Sequence, residues 1–251
     1  MTTQSARHVA VLSDAHGNAP ALAAVLAELD EVSPDLVVFG GDLTWGPLPD
    51  ETLALVESFA STAVFVRGNA DRSVLEYASG TAADEPSERS RWMVDRHAPE
   101  ARAFLAGFVE QATVEVAGLG VVRFCHGSPR SDEELVTFAT PEQRMRALLD
   151  GVDERVLVTA HTHIQFDRRV AGIRSVNPGS VGMPYEGRPG AFWALLGPDV
   201  ELRCTPYDVD ETIRLYRESG DPSAEAMVEV LLEPPTPQEV AEHAERLEFS
   251  G

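Results

Sequence analysis

Cysteine is scarce in this chain, with only Cys125 and Cys204 among 251 residues. Two thiols make no disulfide framework, so the fold must rest on its core, and a reducing, cytoplasmic setting is expected. Long apolar runs are also missing. No segment approaches the ~20 consecutive apolar residues of a membrane span. The short run Val9–Leu12, which follows the polar stretch Met1–His8, is too brief for the h-region of a secretory signal. Basic residues are few, 20 against 41 acidic ones, for a formal charge of −21. Proteins that wrap a nucleic-acid polymer carry the opposite footprint, so that class is set aside, and so is a membrane partner. There is no internal repeat and no low-complexity tract. What is present is 43% apolar residues, enough for a sizeable core. A single domain over 1–251 is expected, with a helical insertion at about 72–110 and a helical tail from about 208.

Strand and helix signals alternate through the first two-thirds. His8–Leu12 and Leu36–Phe39 are short β-rich runs, and Val64–Val66 is a third. Asn18-Ala19-Pro20 opens a helix whose apolar face is Leu22, Val25, Leu26 and Leu29. Asp50 is expected to cap a second helix carrying Leu53, Val56 and Phe59. This β-α-β-α-β rhythm predicts a parallel sheet covered by helices. Ser87–Phe108 reads as one helix making contact through Trp92, Leu105 and Phe108, behind a polar loop at Thr81–Glu88. Three hairpins follow, around Gly118-Leu119-Gly120, Gly172 and Gly197-Pro198. Between the first two, Thr140-Pro141-Glu142-Gln143 reads as a capping box opening a helix, and Arg155–Thr159 as a buried strand. A second capping box at Thr236 starts the last helix. The hairpins could form or extend a second, more antiparallel sheet, so two packed sheets with helices outside are expected.

The polar residues fall where chemistry would need them. Asp14 and His16 come just past the first strand, Asp42 past the second, Asn69 past the third. His126 follows a later strand, and His161 and His163 another. In open α/β sheets, ligands bind in the crevice beyond the strands' carboxyl ends. Taken singly, Asp-x-His, Gly-Asp or Gly-Asn is more often a turn, and a lone histidine is more often structural. Seven oxygen and nitrogen donors at successive strand ends are hard to obtain by chance. Carboxylate with imidazole suits Mn²⁺, Fe²⁺, Zn²⁺, Ni²⁺ or Co²⁺.

Five segments then resemble the signature blocks of the calcineurin-like metallophosphoesterase superfamily: Ser13-Asp14-Ala15-His16-Gly17-Asn18, Gly40-Gly41-Asp42, Gly68-Asn69-Ala70-Asp71, His126-Gly127 and Ala160-His161-Thr162-His163. Asn177-Pro178-Gly179-Ser180-Val181-Gly182 is similar to a block of the small bacterial and archaeal branch, the YfcE-like predicted phosphodiesterases. The resemblance implies a four-layer α-β-β-α sandwich of two mixed sheets. It implies two divalent metal ions, with Mn²⁺ first and Fe, Ni, Co, Zn or Mg as alternatives. Asp14, His16 and His163 would hold one, Asn69, His126 and His161 the other, and Asp42 would bridge them. Catalysis would then run through Asp42, Asn69 and His126, acting by way of the metals and a shared hydroxide that attacks a small phosphate ester in line. Two dications roughly 3.5–4 Å apart lower the pKa of a shared water and neutralise charge on the phosphoryl oxygens.

One position departs from the pattern. Many members carry a histidine after Gly-Asn, thought to protonate the leaving oxygen, whereas this chain has Ala70. A positioned acid contributes ~10²–10⁴-fold for poor leaving groups. The expectation is therefore a phosphodiesterase, with a nucleotide among the conceivable substrates. Alternatives are a phosphomonoesterase or nucleotide pyrophosphohydrolase, or a non-catalytic metal-stabilised binding or regulatory module. His97 is read as a surface histidine, with replacement of the missing acid as its other reading. Asp71 is expected to orient a ligand histidine. Asn18 is a weak substrate-binding candidate that could equally cap the helix after it. Arg67, Arg72, Tyr185 and Arg188 are candidate substrate contacts with ordinary surface or packing roles as the alternative. Cys125 is read as a buried filler, and Asn177 as shaping the loop beside His163. The oligomeric state is left open.

Overall fold

The computed structural model describes residues 4–247; Met1–Thr3 of the polar opening stretch and residues 248–251 lie outside the described residues. In chain order, the first half holds β1 (Gln4–Ala6), β2 (Val9–Leu12), α1 (Ala19–Val32), β3 (Leu36–Phe39), α2 (Pro49–Val56), β4 (Val64–Phe65), α3 (Asn69–Ser79), α4 (Glu88–Arg96) and α5 (Pro99–Ala106). The second half holds β5 (Gln111–Val116), β6 (Gly120–Cys125), α6 (Glu142–Leu148), β7 (Val156–Val158), β8 (Gln165–Val170), β9 (Ile173–Pro178), β10 (Ala191–Leu196), β11 (Val200–Thr205), α7 (Val209–Glu218), α8 (Ala224–Leu232) and α9 (Pro237–Ala244).

The strands form two mixed sheets, one in the order β11-β10-β2-β3-β4 and one in the order β1-β5-β6-β7-β9-β8. β2, β3 and β4 run parallel, as do β6, β7 and β9. Period-2 alternation sorts the layers. Val9, Val11, Leu36 and Val38 meet Val122, Phe124, Val156 and Val158 in a core between the sheets. Ala10, Leu12, Val37 and Phe39 point the other way, onto Leu22, Val25 and Leu29 of α1 and Leu105 of α5. The outer face of the second sheet buries Leu157 and Phe166 against Met145 and Leu148 of α6 and Ala241 of α9. Both faces of both sheets are thus covered, which is why the central strands read as continuous apolar runs.

Several local expectations differ from the structure. The third hairpin extends the first sheet, because β10 pairs antiparallel with β2. β1, too short and polar to stand out in the sequence, joins the second sheet beside β5. The expected single helix over 87–108 is two, α4 and α5: the chain turns extended at His97 and Ala98, and Pro99 starts the next helix. There Met93 is fully buried, while Trp92 is only half-buried. Asp50 lies in the first turn of α2 behind Pro49, so it faces the helix N-terminus without capping it. Thr140 stands outside α6; its hydroxyl accepts from Thr137 N and bonds Glu245, and Pro141 takes the cap position. Among the described residues no helix is long and apolar enough to cross a membrane.

Candidate metal centre

The parallel strands deliver their polar residues to one place. Asp14 and His16 follow β2, Asp42 follows β3, His126 directly follows β6, and His161 and His163 follow β7. Asn69 opens α3, just beyond β4. Donor atoms of Asp14, His16 and His163 lie within 4.8 Å of one another, and so do those of Asp42, His126 and His161. Asn69 Oδ1 is 3.1 Å from His126 Nε2. Asp42 Oδ2 stands between the groups, 3.6 Å from His16 Nε2 and 3.4 Å from His126 Nε2. All seven candidate residues are therefore brought together.

The backbone at this centre is unusual. Asp14, His16, Asp42, His161 and His163 all adopt positive φ, between 44° and 64°. Such left-handed conformations cost non-glycine residues roughly 1–2 kcal/mol each and persist only where surrounding bonds enforce them. Those bonds are present: Asp14 N donates to Gly41 O, His16 N to Asp42 O, and Ala160 N to His126 O. Asn177 donates from Nδ2 to Ala160 O and Thr162 Oγ1, so it does shape the loop that carries His161 and His163. Gly68 is required by proximity, since a Cβ there would sit 2.1 Å from Asp42 Oδ1.

Hydrogen bonds also fix the imidazole tautomers. His16 Nδ1 donates to Trp45 O at 3.1 Å, His126 Nδ1 to Gly40 O at 2.8 Å and His163 Nδ1 to Met183 O at 2.8 Å. A carbonyl can only accept, so each Nε2 is left to face the centre. His16 Nε2 and His163 Nε2 then lie 3.2 Å apart, a distance that calls for a positive centre between them, whether proton or metal ion. Asp14 Oδ1 is buried and accepts no hydrogen bond, although imidazole nitrogens lie 3.2 to 4.0 Å away. An orphaned carboxylate oxygen ringed by nitrogen donor atoms fits a divalent cation well.

Electrostatics point the same way. Burial opposes ionisation of Asp14 and Asp42, yet the facing histidines hold both carboxyls below the ordinary range. Burial pushes His16 down and takes His161 to about 4, so these two stay neutral and able to ligate. At His126 burial acts likewise, but Asp42 and then Asp14 outweigh it and carry the imidazole up to about 10. A proton at His126 stands where positive charge is wanted.

Other candidates take different places. Asp71 does not orient a histidine: its carboxylate accepts from the main-chain amides of Asp42, Leu43 and Gly68. Asn18 is buried, with Oδ1 accepting from Ala21 N and Nδ2 donating to Gly182 O, so its bonds express the capping role. His97 is neither on the surface nor free to act as an acid. It is buried, with Nδ1 on Met93 O and Nε2 on Thr44 Oγ1. Arg67 pairs with Glu110, and Arg72 with Asp132 and Glu133, in a neighbouring pocket that shares His126. Arg188 is exposed, with its guanidinium over the Phe192 ring. Cys125 is buried, and burial pushes its thiol up to about 12. Tyr185 does border the centre, its ring stacked on His163 with centroids 4.7 Å apart. Trp45 and Met183 border it too, and neither was singled out in the sequence; an aromatic residue three places after Asp42 was the available signal.

Proteins of known structure share this fold. No curated protein sequence matches the chain. Its structure is similar to that of a hypothetical protein from Pyrococcus horikoshii OT3, with TM-score 0.78 and 20% identity over 91% of this chain and 99% of that one. It is also similar to a metallophosphoesterase from Sphaerobacter thermophilus, with TM-score 0.71 and 25% identity over 90% of this chain and 99% of that one. YfcE, a phosphoesterase from E. coli, overlaps more loosely, with TM-score 0.47 and 22% identity over 75% of this chain and 87% of that one. The calcineurin-like phosphoesterase superfamily domain matches residues 8–196, a span that takes in every residue of the candidate ligand set, and the chain belongs to that superfamily.

Proposed function

We propose that this protein is a phosphodiesterase that works with two divalent metal ions. Asp14, His16 and His163 would hold one ion and Asn69, His126 and His161 the other, with Asp42 shared between them. The observation that carries the reading is the convergence of Nε2 atoms, their Nδ1 protons given to main-chain carbonyls, on the unsatisfied Asp14 Oδ1 and on Asp42 Oδ2. When bound, such a pair supplies an ionised water near neutral pH and neutralises charge on the phosphoryl oxygens. Mn²⁺ is the first candidate for an imidazole and carboxylate set.

The chain's own residues set the rest. Asn69 offers a neutral amide oxygen, which adds no negative charge to its half of the site. Asp42 is oriented by the Ala70 main-chain N–H, which donates to its Oδ1 at 2.8 Å. Ala70 cannot give a proton to a leaving oxygen, and His97, whose ring is taken by Met93 and Thr44, does not replace it. Diesters with an acidic leaving alcohol are therefore favoured over alkyl monoesters.

The test is turnover of bis-p-nitrophenyl phosphate with Mn²⁺, together with metal content. Wild type should release nitrophenol and retain two ions per chain, and Asp42→Asn should do neither. Two retained ions without turnover of any ester in a broad panel would instead favour a binding or regulatory module.

A further inference from the structure

Beside the candidate ligand set lies a cleft of about 370 Å³, within the size range of small-molecule sites. Its walls are Trp45, Met183 and Tyr185, with Ala70 and Ser73 completing the lining. No arginine lines it. The arginines nearby line the separate pocket that shares His126, and they are already matched: Arg67 with Glu110, Arg72 with Asp132 and Glu133, Arg130 with Glu134. Apart from the ligand set, then, the cleft holds no cation for a second phosphate.

The two aromatic walls are fixed in place by the residues that build the centre. The Trp45 carbonyl accepts from His16 Nδ1, and the preceding Thr44 is bonded to His97. The Trp45 ring also packs near Tyr77, with centroids 6.3 Å apart. Tyr185 stacks on His163, and its main-chain N donates to His163 O at 3.1 Å. Each wall is therefore tied to a histidine of the Asp14–His16–His163 group. Fixed aromatic faces give area and stacking to a flat ring at small entropic cost. Ala70 adds a second constraint, because the side chain at this position gives the leaving oxygen no proton, which favours an oxygen that departs as a stable anion. An oxygen attached directly to an aromatic ring meets that need, whereas the hydroxyl of a sugar does not.

We propose that the cleft selects aryl phosphodiesters, seating the ring that carries the leaving oxygen against Trp45 and Tyr185. This rests on the phosphodiesterase reading above. One water is consumed: its oxygen bonds to phosphorus, the bond from phosphorus to the aryl oxygen breaks, and that oxygen leaves with the electron pair as aryloxide. The water's protons pass to solvent and to the phosphate product.

The experiment uses the metal-loaded full chain and two readouts. In the first, phenyl methyl phosphate is compared with hexafluoroisopropyl methyl phosphate, whose leaving alcohols are similarly acidic but differ in flatness. Wild type should favour the phenyl ester at least roughly ten-fold in kcat/KM, and Trp45→Leu and Tyr185→Leu should reduce that preference to about three-fold or less, mainly through KM. In the second, calorimetry compares phenylphosphonate with methylphosphonate, with phenyl binding roughly ten-fold tighter in wild type and losing that margin in both variants. Equal treatment of the two esters and equal affinity for the two phosphonates would overturn the inference while leaving the phosphodiesterase reading intact. So would equally fast cleavage of a nucleoside 5′-methyl phosphate. Absence of all turnover with the phenylphosphonate preference retained would sink the phosphodiesterase reading and the cleavage step that rests on it, leaving only the aromatic ring seat.

Discussion

His97 Nε2 lies 2.9 Å from the Thr44 hydroxyl, two residues beyond Asp42. Because Nδ1 is engaged by the Met93 carbonyl, Nε2 must accept and Thr44 must donate. The residue that ends α4 thus braces the loop that carries Asp42 and Trp45. His97→Ala should leave the buried Thr44 hydroxyl unpaired and cost about 1–3 kcal/mol of stability. Mn²⁺ affinity should fall, while kcat at saturating metal should change less than about three-fold, since His97 does not line the cleft. Denaturant titration and metal-dependent kinetics check both halves, and a large kcat loss at full metal occupancy would point to direct participation.

The same histidine gives a pH dependence of definite sign. Burial lowers the His97 pKa below its ordinary value near 6.5. Above that value the folded and unfolded chains both carry it neutral, and its contribution is fully present. As pH falls below about 6.5 the unfolded chain binds a proton that the folded one refuses, so stability is lost. Metal-free wild type should weaken between pH 6.5 and 5 more steeply than His97→Gln. Parallel slopes in equilibrium unfolding would contradict this assignment.

Much of this centre was legible in the sequence because chemistry and topology repeat one rule. A buried strand ends, and a ligand-type residue follows it. That rule places Asp14, Asp42, His126 and His161 without coordinates. What it does not reach is the layer behind them. Asp71 was expected beside a histidine, yet it serves backbone amides, because a three-residue offset from Gly68 puts its carboxylate at the start of α3. His97 lies far from Thr44 in the sequence, and no periodicity announces that contact. β1 escaped notice because three residues, Gln4–Ala6, carry too little pattern to distinguish a strand from a polar lead-in.

Asp71→Asn tests that hidden layer. The wild-type carboxylate takes Asp42 N and Gly68 N on Oδ2 at 2.9 Å each, and Leu43 N on Oδ1 at 3.0 Å. An amide offers one acceptor oxygen, so at least one main-chain N–H would face an NH₂ group. The expected cost is about 1–3 kcal/mol, together with weaker metal retention, because the strained Asp42 backbone loses an anchor. Unfolding curves with and without Mn²⁺ separate the two effects. An Asp71→Asn chain with unaltered stability and metal content would show that these bonds are dispensable.

Ala70→His would test what an acid at position 70 adds to this site. Ala70 sits at the start of α3, and its main-chain N–H, which orients Asp42, survives the substitution. Its side chain lines the cleft beside Asn69 and Ser73. An imidazole introduced there could protonate a departing oxygen, an effect that grows with the basicity of the leaving group. Nitrophenolate needs no such help, so turnover of bis-p-nitrophenyl phosphate should stay level or fall as the added ring crowds Trp45 and Tyr185. Dimethyl phosphate and alkyl monoesters should gain, by roughly 10- to 100-fold if the geometry is good. The measurement is the slope of log kcat/KM against leaving-group pKa for both proteins. A shallower slope in Ala70→His is expected; an unchanged slope, with metal content intact, would mean that proton donation to the leaving group does not limit this enzyme.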